Sequence, residues 1–163
     1  MGNRRAGVGN YLLNNQQSES THQLRVVAAL VHHAQRLNRR GWRQLVWLSG
    51  DAEQCRSIAQ DVWRAFSWQA PLWVANENTS LPFSAPILSP RKARVRLGAE
   101  HQLVVIDTYS TGFDPEALGA LAGTITAGGL LILLTPQPWG EAPDPDYARF
   151  ADYPWHWSQL SCH

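Results

Sequence analysis

The chain has 163 residues, a net charge of +1 and 44% hydrophobic residues, which together are typical of one ordinary soluble domain. No apolar run approaches the ~20 residues that a membrane helix needs, and no apolar segment of the secretory-signal kind is visible near the N-terminus. The two cysteines, Cys55 and Cys162, show neither CxxC nor Cys/His spacing, so we expect no disulfide framework and no metal site. A cytoplasmic protein without a membrane partner fits these features best.

The N-terminal part of the chain divides into a polar stretch and an amphipathic helix. Residues 1–20 are rich in Gly, Asn and Gln, and we interpret them as a flexible tail. Apolar residues then recur at three- and four-residue steps from Leu24 to Leu37. This period predicts a helix that begins near Ser20 or Thr21 and ends at Gly41.

A strand, a helix and a second strand are predicted next. The stretch "RQLVWLSG" contains a continuous apolar run, Leu45–Leu48, which is typical of a strand buried on both faces of a parallel sheet. Asp51 precedes an amphipathic segment and can cap its first amides. The stretch "PLWVA" then has the apolar character of a short strand.

The second half of the chain repeats this alternation. "SPRKARVRLG" predicts a short helix that is capped by Ser89 and closed by Gly98, with Val95 turned to the core. "HQLVVID" predicts a third strand, a helix capped by Asp114 follows, and "GLLILL" predicts a fourth strand. The order is therefore helix and strand in strict alternation.

Such alternation predicts an α/β fold, a Rossmann-like three-layer sandwich with a mainly parallel sheet of about four or five strands. We expect its central strands to contain Leu45–Leu48, Val104–Asp107 and Leu130–Leu134. The domain would occupy residues 21–136. The Pro-rich, acidic residues 137–163 would form an extension or linker.

Asp107 ends a buried strand, as do many acids that hold a metal beneath a nucleotide. That role requires a GxxxxGK[ST] loop, which the sequence lacks, and Lys92 is its only lysine. GxGxxG and GxSxG are also missing. We therefore predict no catalytic, cofactor-binding or metal-binding residue, and we expect Asp107 to accept hydrogen bonds from the amides of "TYSTG".

Two basic stretches contain no acidic residue. The first lies between Glu77 and Glu100, and the second lies between Thr21 and Gly50. They can form a phosphate-binding surface or two solvated helix faces. The first stretch carries the group Arg91, Lys92, Arg94 and Arg96, and the second carries the group Arg36, Arg39, Arg40 and Arg43.

We assign RNA binding to the first set, Arg91, Lys92, Arg94 and Arg96, and expect weak, nonspecific phosphate contacts from largely exposed side chains. Near the C-terminus, Trp155 and Trp157 flank a histidine. These two tryptophans can stack on bases or can anchor a docked extension or a neighbouring domain.

Three phrases, "LVWLSGDAEQC", "SPRKARVRLG" and "GFDPEALGALAGTITAGGLLILLTP", occur in an order that resembles the N-terminal domain of bacterial tRNA(Met) cytidine acetyltransferase. The resemblance runs from about Leu24 to Pro136. It implies a parent enzyme that acetylates the wobble cytidine of elongator tRNA(Met), using acetyl-CoA and ATP with Mg²⁺. The implied N-terminal domain precedes an ATPase module and an acetyltransferase module.

On this resemblance the fragment is an accessory domain and not itself an enzyme. Its partners would be the ATPase and acetyltransferase modules of the same parent chain, and tRNA. Residues 137–163 would lead towards the missing ATPase module. The alternative is a free-standing Rossmann-like domain that binds a nucleotide, or a protein-interaction domain whose tryptophans form the contact.

Overall fold

The computed structural model describes residues 6–141, 143–149, 151, 154, 156 and 158, with the backbone alone described for residues 6–17, 19 and 149. The helices are α1 (Ala6–Arg40), α2 (Ala52–Ala65) and α3 (Pro115–Ala122), with two short 3₁₀ helices, η1 (Pro90–Arg96) and η2 (Pro145–Arg149). The strands are β1 (Gln44–Gly50), β2 (Leu72–Val74), β3 (Ile87–Leu88), β4 (His101–Asp107) and β5 (Ile125–Pro136). In these ranges no helix has the length and apolar character that crossing a bilayer requires.

The five strands form one sheet in the order β1-β5-β4-β2-β3, and every neighbouring pair is parallel. All carboxyl ends of the strands therefore lie at one edge of the sheet, and all amino ends lie at the opposite edge. The predicted α/β class, the three layers and the parallel sheet are confirmed. β3 is so short that its two residues gave no recognisable pattern in the sequence.

Each face of the sheet has its own apolar core. On one face, Val27 of α1 and Ala59 of α2 pack with alternate strand residues such as Leu103. On the other face, Ala93 of η1 and Leu121 of α3 pack with the intervening strand residues. β4 and β5 are buried on both faces because they have helices above and below them, so the prediction that they are central strands is confirmed.

The position of β1 corrects one prediction. β1 lies at the edge of the sheet, and Leu45 and Trp47 are 53% and 57% exposed. Only the face that carries Val46 is covered, by α1 and α2. Leu45–Leu48 therefore does not form a central strand. The apolar run indicated burial on both faces, but strand order, which leaves one face of β1 uncovered, decides burial.

The limits of the helices follow local signals at most of their ends. α1 ends at Arg40, and Gly41 adopts φ +70° directly after it, as predicted. α1 begins at Ala6, however, and not at Ser20 or Thr21. No proline interrupts residues 6–40, and a helix extends by one hydrogen bond per added residue once it has formed. The division of the chain at residues 20 and 136 stays a prediction.

Candidate nucleic-acid interface

The carboxyl end of the sheet is built around Asp107, the last residue of β4. Its side chain is fully buried and pairs with Arg56 of α2, with 2.6 Å from Arg56 Nε to Asp107 Oδ2 and 3.2 Å from Nη2 to Oδ1. The backbone amide of Tyr109 donates to Asp107 Oδ1 over 3.1 Å. The predicted role as an acceptor of loop amides is confirmed. The hydrogen bond from Arg56 to Asp107 also raises the pKa of Arg56.

Tyr109 contacts the paired carboxyl ends of β1 and β5. Its hydroxyl oxygen lies 2.6 Å from the carbonyl oxygen of Thr135 and 2.9 Å from that of Gly50. Burial, and then a hydrogen bond with Cys55, raise the pKa of Tyr109 well above its ordinary value. A neutral phenol therefore fills the place after β1 where a Rossmann-like protein holds a cofactor.

The helix that follows β1 has its first amides occupied as well. Asp51 accepts from the backbone amide of Gln54 over 3.0 Å, as the capping prediction required. Among the described residues, no three His, Cys, Asp or Glu side chains are grouped so that they could hold a metal ion. The carboxyl end near β1 is thus a network of the protein's own side chains.

A second part of the carboxyl end is open but carries both signs of charge. A cavity of about 560 Å³ lies beside the ends of β2 and β4. Its lining includes Arg91 and Lys92 together with Glu77, Asp114 and Asp146. The carboxylates oppose the approach of a phosphate, so the cavity is not a simple anion site.

The predicted RNA-binding residues lie on η1, which starts beside this cavity. Arg91, Lys92 and Arg94 are exposed, as predicted. Arg96 is half-buried, and its Nε has no hydrogen-bond partner among the described residues. Val95 is 74% exposed, so the prediction that it turns to the core is wrong.

The 3₁₀ geometry of η1 explains both differences. Residues three apart lie above one another in a 3₁₀ helix, so Pro90 and Ala93 are buried together and Arg96 follows them inward. The prediction had assumed α-helical spacing, in which Val95 would have been on the inner face. A short segment that begins with proline gave no means to separate the two kinds of helix.

Acidic residues from elsewhere in the chain pair with η1. Lys92 Nζ lies 2.6 Å from Glu77 Oε1, and Arg94 Nη2 lies 2.9 Å from Glu116 Oε2. The absence of acids within the stretch therefore does not leave the surface unpaired. The assignment of RNA binding to Arg91, Lys92, Arg94 and Arg96 stays a prediction.

The second basic set lies at the amino end of the sheet, where α1 ends and β1 begins. Arg36, Arg39, Arg40 and Arg43 are all exposed, and within the described part of the chain none of them forms an ion pair with an Asp or Glu. Trp42, 58% exposed, lies among them, and the guanidinium carbon of Arg40 is 5.5 Å from its ring centroid. We call Arg36, Arg39, Arg40, Trp42 and Arg43 the amino-end basic surface.

The backbone of Trp42 is fixed on both sides. Its amide donates to the carbonyl of Leu37 over 3.0 Å, and its carbonyl accepts from the amide of Gly128 over 2.7 Å. Gly128 adopts φ +74°, and a Cβ there would lie 2.5 Å from the Cβ of Asn38. Only glycine fits this close approach of β5 to the end of α1.

A cavity of about 280 Å³ opens beside the fixed tryptophan. Arg36, Arg40, Trp42 and Arg43 line it, together with His33 and Leu37. The acid-free stretch of sequence indicates the four arginines but not Trp42. The one sequence feature that marks Trp42 is its position directly after Gly41, the residue that ends α1. Trp155 and Trp157, the tryptophans considered for base stacking, lie outside the described residues.

Comparison with known families identifies the family to which the chain belongs. The family model for "tRNA(Met) cytidine acetyltransferase TmcA, N-terminal" matches residues 18–160. The chain belongs to this TmcA N-terminal family. The match includes both basic sets and the whole sheet, and the expected resemblance is confirmed.

Individual TmcA relatives agree with this membership. A tRNA(Met) cytidine acetyltransferase TmcA from Nitrosococcus halophilus is 37% identical over 123 residues, which are 74% of this chain and 16% of the relative. The TmcA of Citrobacter koseri is 41% identical over 118 residues, 70% of this chain and 16% of the relative. The TmcA of Salmonella typhimurium is 34% identical over 130 residues, 77% of this chain and 18% of the relative. The matched region is thus a minor part of each relative's length.

Proposed function

We propose that the chain is an accessory domain of an enzyme that acetylates the wobble cytidine of elongator tRNA(Met) with acetyl-CoA and ATP. In this proposal the ATPase and acetyltransferase modules of the parent chain perform the chemistry and hold ATP, Mg²⁺ and acetyl-CoA. The domain packs against those modules and contacts tRNA. Membership of the TmcA N-terminal family supports the choice of parent enzyme.

The observation that supports a non-catalytic role is the closed carboxyl end of the sheet near β1. Ligands of α/β proteins bind outside the carboxyl ends of the strands, and phosphates bind to free amides at the start of the next helix. Here Tyr109 and the Arg56–Asp107 pair fill the first place, and Asp51 caps the second. A nucleotide would have to displace several of the protein's own hydrogen bonds.

The proposed packing role has a surface to use. Leu45 and Trp47 are exposed on the uncovered face of β1, and Trp139 lies beside them, with ring centroids of Trp47 and Trp139 5.5 Å apart. Exposed aromatic side chains grouped in this way are typical of contacts between domains or proteins. This face is the part of the domain that we assign to contact with the neighbouring modules.

The non-catalytic proposal is tested by assaying the purified chain for ATP hydrolysis and for acetyl transfer from acetyl-CoA to tRNA(Met). We expect neither reaction above the rate without protein. ATP turnover that disappears in Asp107→Ala, with the variant still folded by circular dichroism, would contradict the proposal. Such a result would make Asp107 part of an active site.

The proposed tRNA contact by η1 is tested in the full-length parent enzyme. Replacing Arg91, Lys92, Arg94 and Arg96 with Ala should flatten the dependence of log K on log salt, by about 0.7–0.9 for each lost phosphate contact. An unchanged slope in a folded variant would leave η1 a solvated face. The accessory role would survive that outcome, because it does not depend on η1.

A further inference from the structure

We propose that the amino-end basic surface is an RNA-binding site of its own. In this site Arg36, Arg40 and Arg43 bind backbone phosphates, and Trp42 stacks on an unpaired base. The site lies at the opposite edge of the sheet from η1 and uses none of its residues. The inference concerns RNA as a ligand and does not depend on whether the parent protein acetylates tRNA.

The charge of the surface favours a polyanion. Four arginines lie within eight residues of sequence, and the described residues supply them with no carboxylate partner. The carbonyl end of α1 contributes the opposite sign, but a helix terminus amounts to roughly −0.5 of a unit charge. Four guanidinium groups exceed that several-fold. Neutralising the helix end therefore does not account for the whole cluster.

Trp42 adds a contact that charge alone does not require. An exposed indole ring is a sequence-tolerant platform for a nucleic-acid base, because every base has a flat π-face. The hydrogen bonds to Leu37 and Gly128 fix the backbone of Trp42, and Arg40 lies over its ring. The platform is therefore held in place before a ligand arrives, which reduces the entropy lost on binding.

RNA fits this arrangement better than an acidic protein segment does. A guanidinium group can donate two parallel hydrogen bonds to the oxygens of one phosphate. The cavity of about 280 Å³ beside Trp42 has Leu37 and the indole as apolar walls. An acidic peptide would use the arginines but would make no stacking contact with the exposed indole. A strand of unpaired nucleotides uses both.

Binding of a fluorescein-labelled ten-residue oligouridylate to the 163-residue chain, followed by anisotropy between 25 and 200 mM KCl, tests the proposal. For Arg36→Gln combined with Arg40→Gln, the log–log salt slope should fall by about 1.4, that is about 0.7 for each contact to a single strand. For Trp42→Leu, affinity should fall about 5- to 150-fold, the range for loss of one stacked base, with the slope unchanged.

A labelled oligomer of the same length without bases separates stacking from charge. The wild-type chain should bind it more weakly than oligouridylate, and Trp42→Leu should bind the two equally. Arg25→Gln, on the exposed part of the same helix, is the matched control and should leave both affinities near those of the wild type. Circular dichroism and thermal unfolding confirm that each variant is folded.

Several outcomes would overturn the proposal. Equal binding of the two oligomers by the wild-type chain would remove the stacking site. Competition by polyglutamate at the same concentration of charge, as strong as that by unlabelled oligouridylate, would identify the surface as a site for acidic protein. Binding lost in Arg91→Gln with Lys92→Gln, but kept in the amino-end variants, would place RNA on η1.

Discussion

The two ends of the sheet differ in whether their basic side chains are paired with carboxylates. At the carboxyl end, Arg56 binds the buried Asp107, and Lys92 and Arg94 bind Glu77 and Glu116. At the amino end, the amino-end basic surface pairs with no carboxylate of the described chain. The carboxyl end is where α/β proteins ordinarily bind ligands, yet here it is the end where Arg56, Lys92 and Arg94 are paired with carboxylates of the same chain.

This difference shows that local sequence charge is a poor guide to surface charge. Both basic stretches lack acids over more than twenty residues of sequence. The η1 stretch nevertheless receives acids from a loop and from α3, because the fold brings them alongside. The end of α1 meets β5 at Gly128, and residues 124–130 contain no acid. The fold therefore decides which basic stretch stays free to bind an anion.

The largest effect that we expect distinguishes the Arg56–Asp107 pair, at the carboxyl end of the sheet, from the arginines of the amino-end basic surface. Asp107→Ala should lower the free energy of unfolding by about 3 kcal/mol, because it leaves Arg56 without its charge partner and the Tyr109 amide without an acceptor. Urea unfolding measures this loss. Arg36→Ala, at the amino end, should change stability by less than about 0.5 kcal/mol.

Asp107→Asn is the matched control for that loss. The amide has nearly the same volume as the carboxylate and keeps an oxygen for the Tyr109 amide, so its cost should lie between those of Ala and wild type. If the Asn variant were as stable as the wild type, the charge of the Arg56–Asp107 pair would contribute nothing to stability. If Arg36→Ala cost as much as Asp107→Ala, the contrast between the two ends would disappear.

The next largest effect tests whether the amino-end basic surface is rigid. Gly128→Ala should cost about 2–4 kcal/mol, because Ala disfavours φ +74° and its Cβ would overlap Asn38. Gly119→Ala is the control: it lies on α3 with nothing within 4 Å of the new Cβ, so it should be neutral or stabilising. Thermal unfolding of the two variants measures the difference.

Adding Asn38→Gly to Gly128→Ala isolates the overlap from the backbone strain. Measured against Asn38→Gly alone, the double variant should recover the part of the loss that comes from the Asn38 side chain, while the approach to the Asn38 Cα and the φ cost should remain. If Gly128→Ala cost as much in the Asn38→Gly background as in the wild type, the Asn38 side chain would not be what demands glycine. The rim of the cavity would then be adjustable.

The sequence was most informative wherever one local signal decides the structure. Asp51 and Asp114 accept from the amides two or three residues onward, so capping was predictable from neighbouring residues. β4 and β5 are uninterrupted apolar runs with helices on both faces, so their central place was predictable too. The family resemblance rested on ordered phrases across most of the chain, and it was confirmed.

The contacts that were missed join residues far apart in sequence. Arg56 and Asp107 are separated by 51 residues, and nothing near either one indicates the other. The edge position of β1 depends on the order of five strands, which apolar content does not encode. Glu77 and Glu116 are likewise distant in sequence from their partners on η1. Predictions about surface charge were therefore weaker than predictions about individual helices and strands.

A smaller effect concerns proton binding by Tyr109 at the carboxyl end of the sheet. The folded state raises the pKa of Tyr109, so it keeps the phenol proton more firmly than the unfolded chain, whose tyrosines ionise near pH 10. The stability that this contributes is complete below about pH 10 and is lost as pH rises towards the folded pKa. Urea unfolding at rising pH should therefore show a fall above about pH 10.

Tyr109→Phe provides the comparison for this fall. At pH 8 the variant should be about 1 kcal/mol less stable, because the hydroxyl no longer bonds to the carbonyls of Gly50 and Thr135. Above about pH 10 its stability should fall less steeply than that of the wild type. Parallel curves for the two proteins would show that another group causes the alkaline loss.

The smallest expected effect tests whether ion pairs account for the difference between η1 and the amino-end basic surface. Glu77→Gln with Glu116→Gln removes the partners of Lys92 and Arg94. All four side chains are mostly exposed, so stability should change by no more than about 0.5 kcal/mol for each pair.

Affinity for tRNA should rise about two- to fivefold at low salt, since each removed charge lies within a Debye length of the surface. That gain should vanish when Lys92→Gln and Arg94→Gln are added. If the variant without Glu77 and Glu116 bound tRNA no more tightly, η1 would have no part in RNA binding, and the amino-end basic surface would be the remaining candidate.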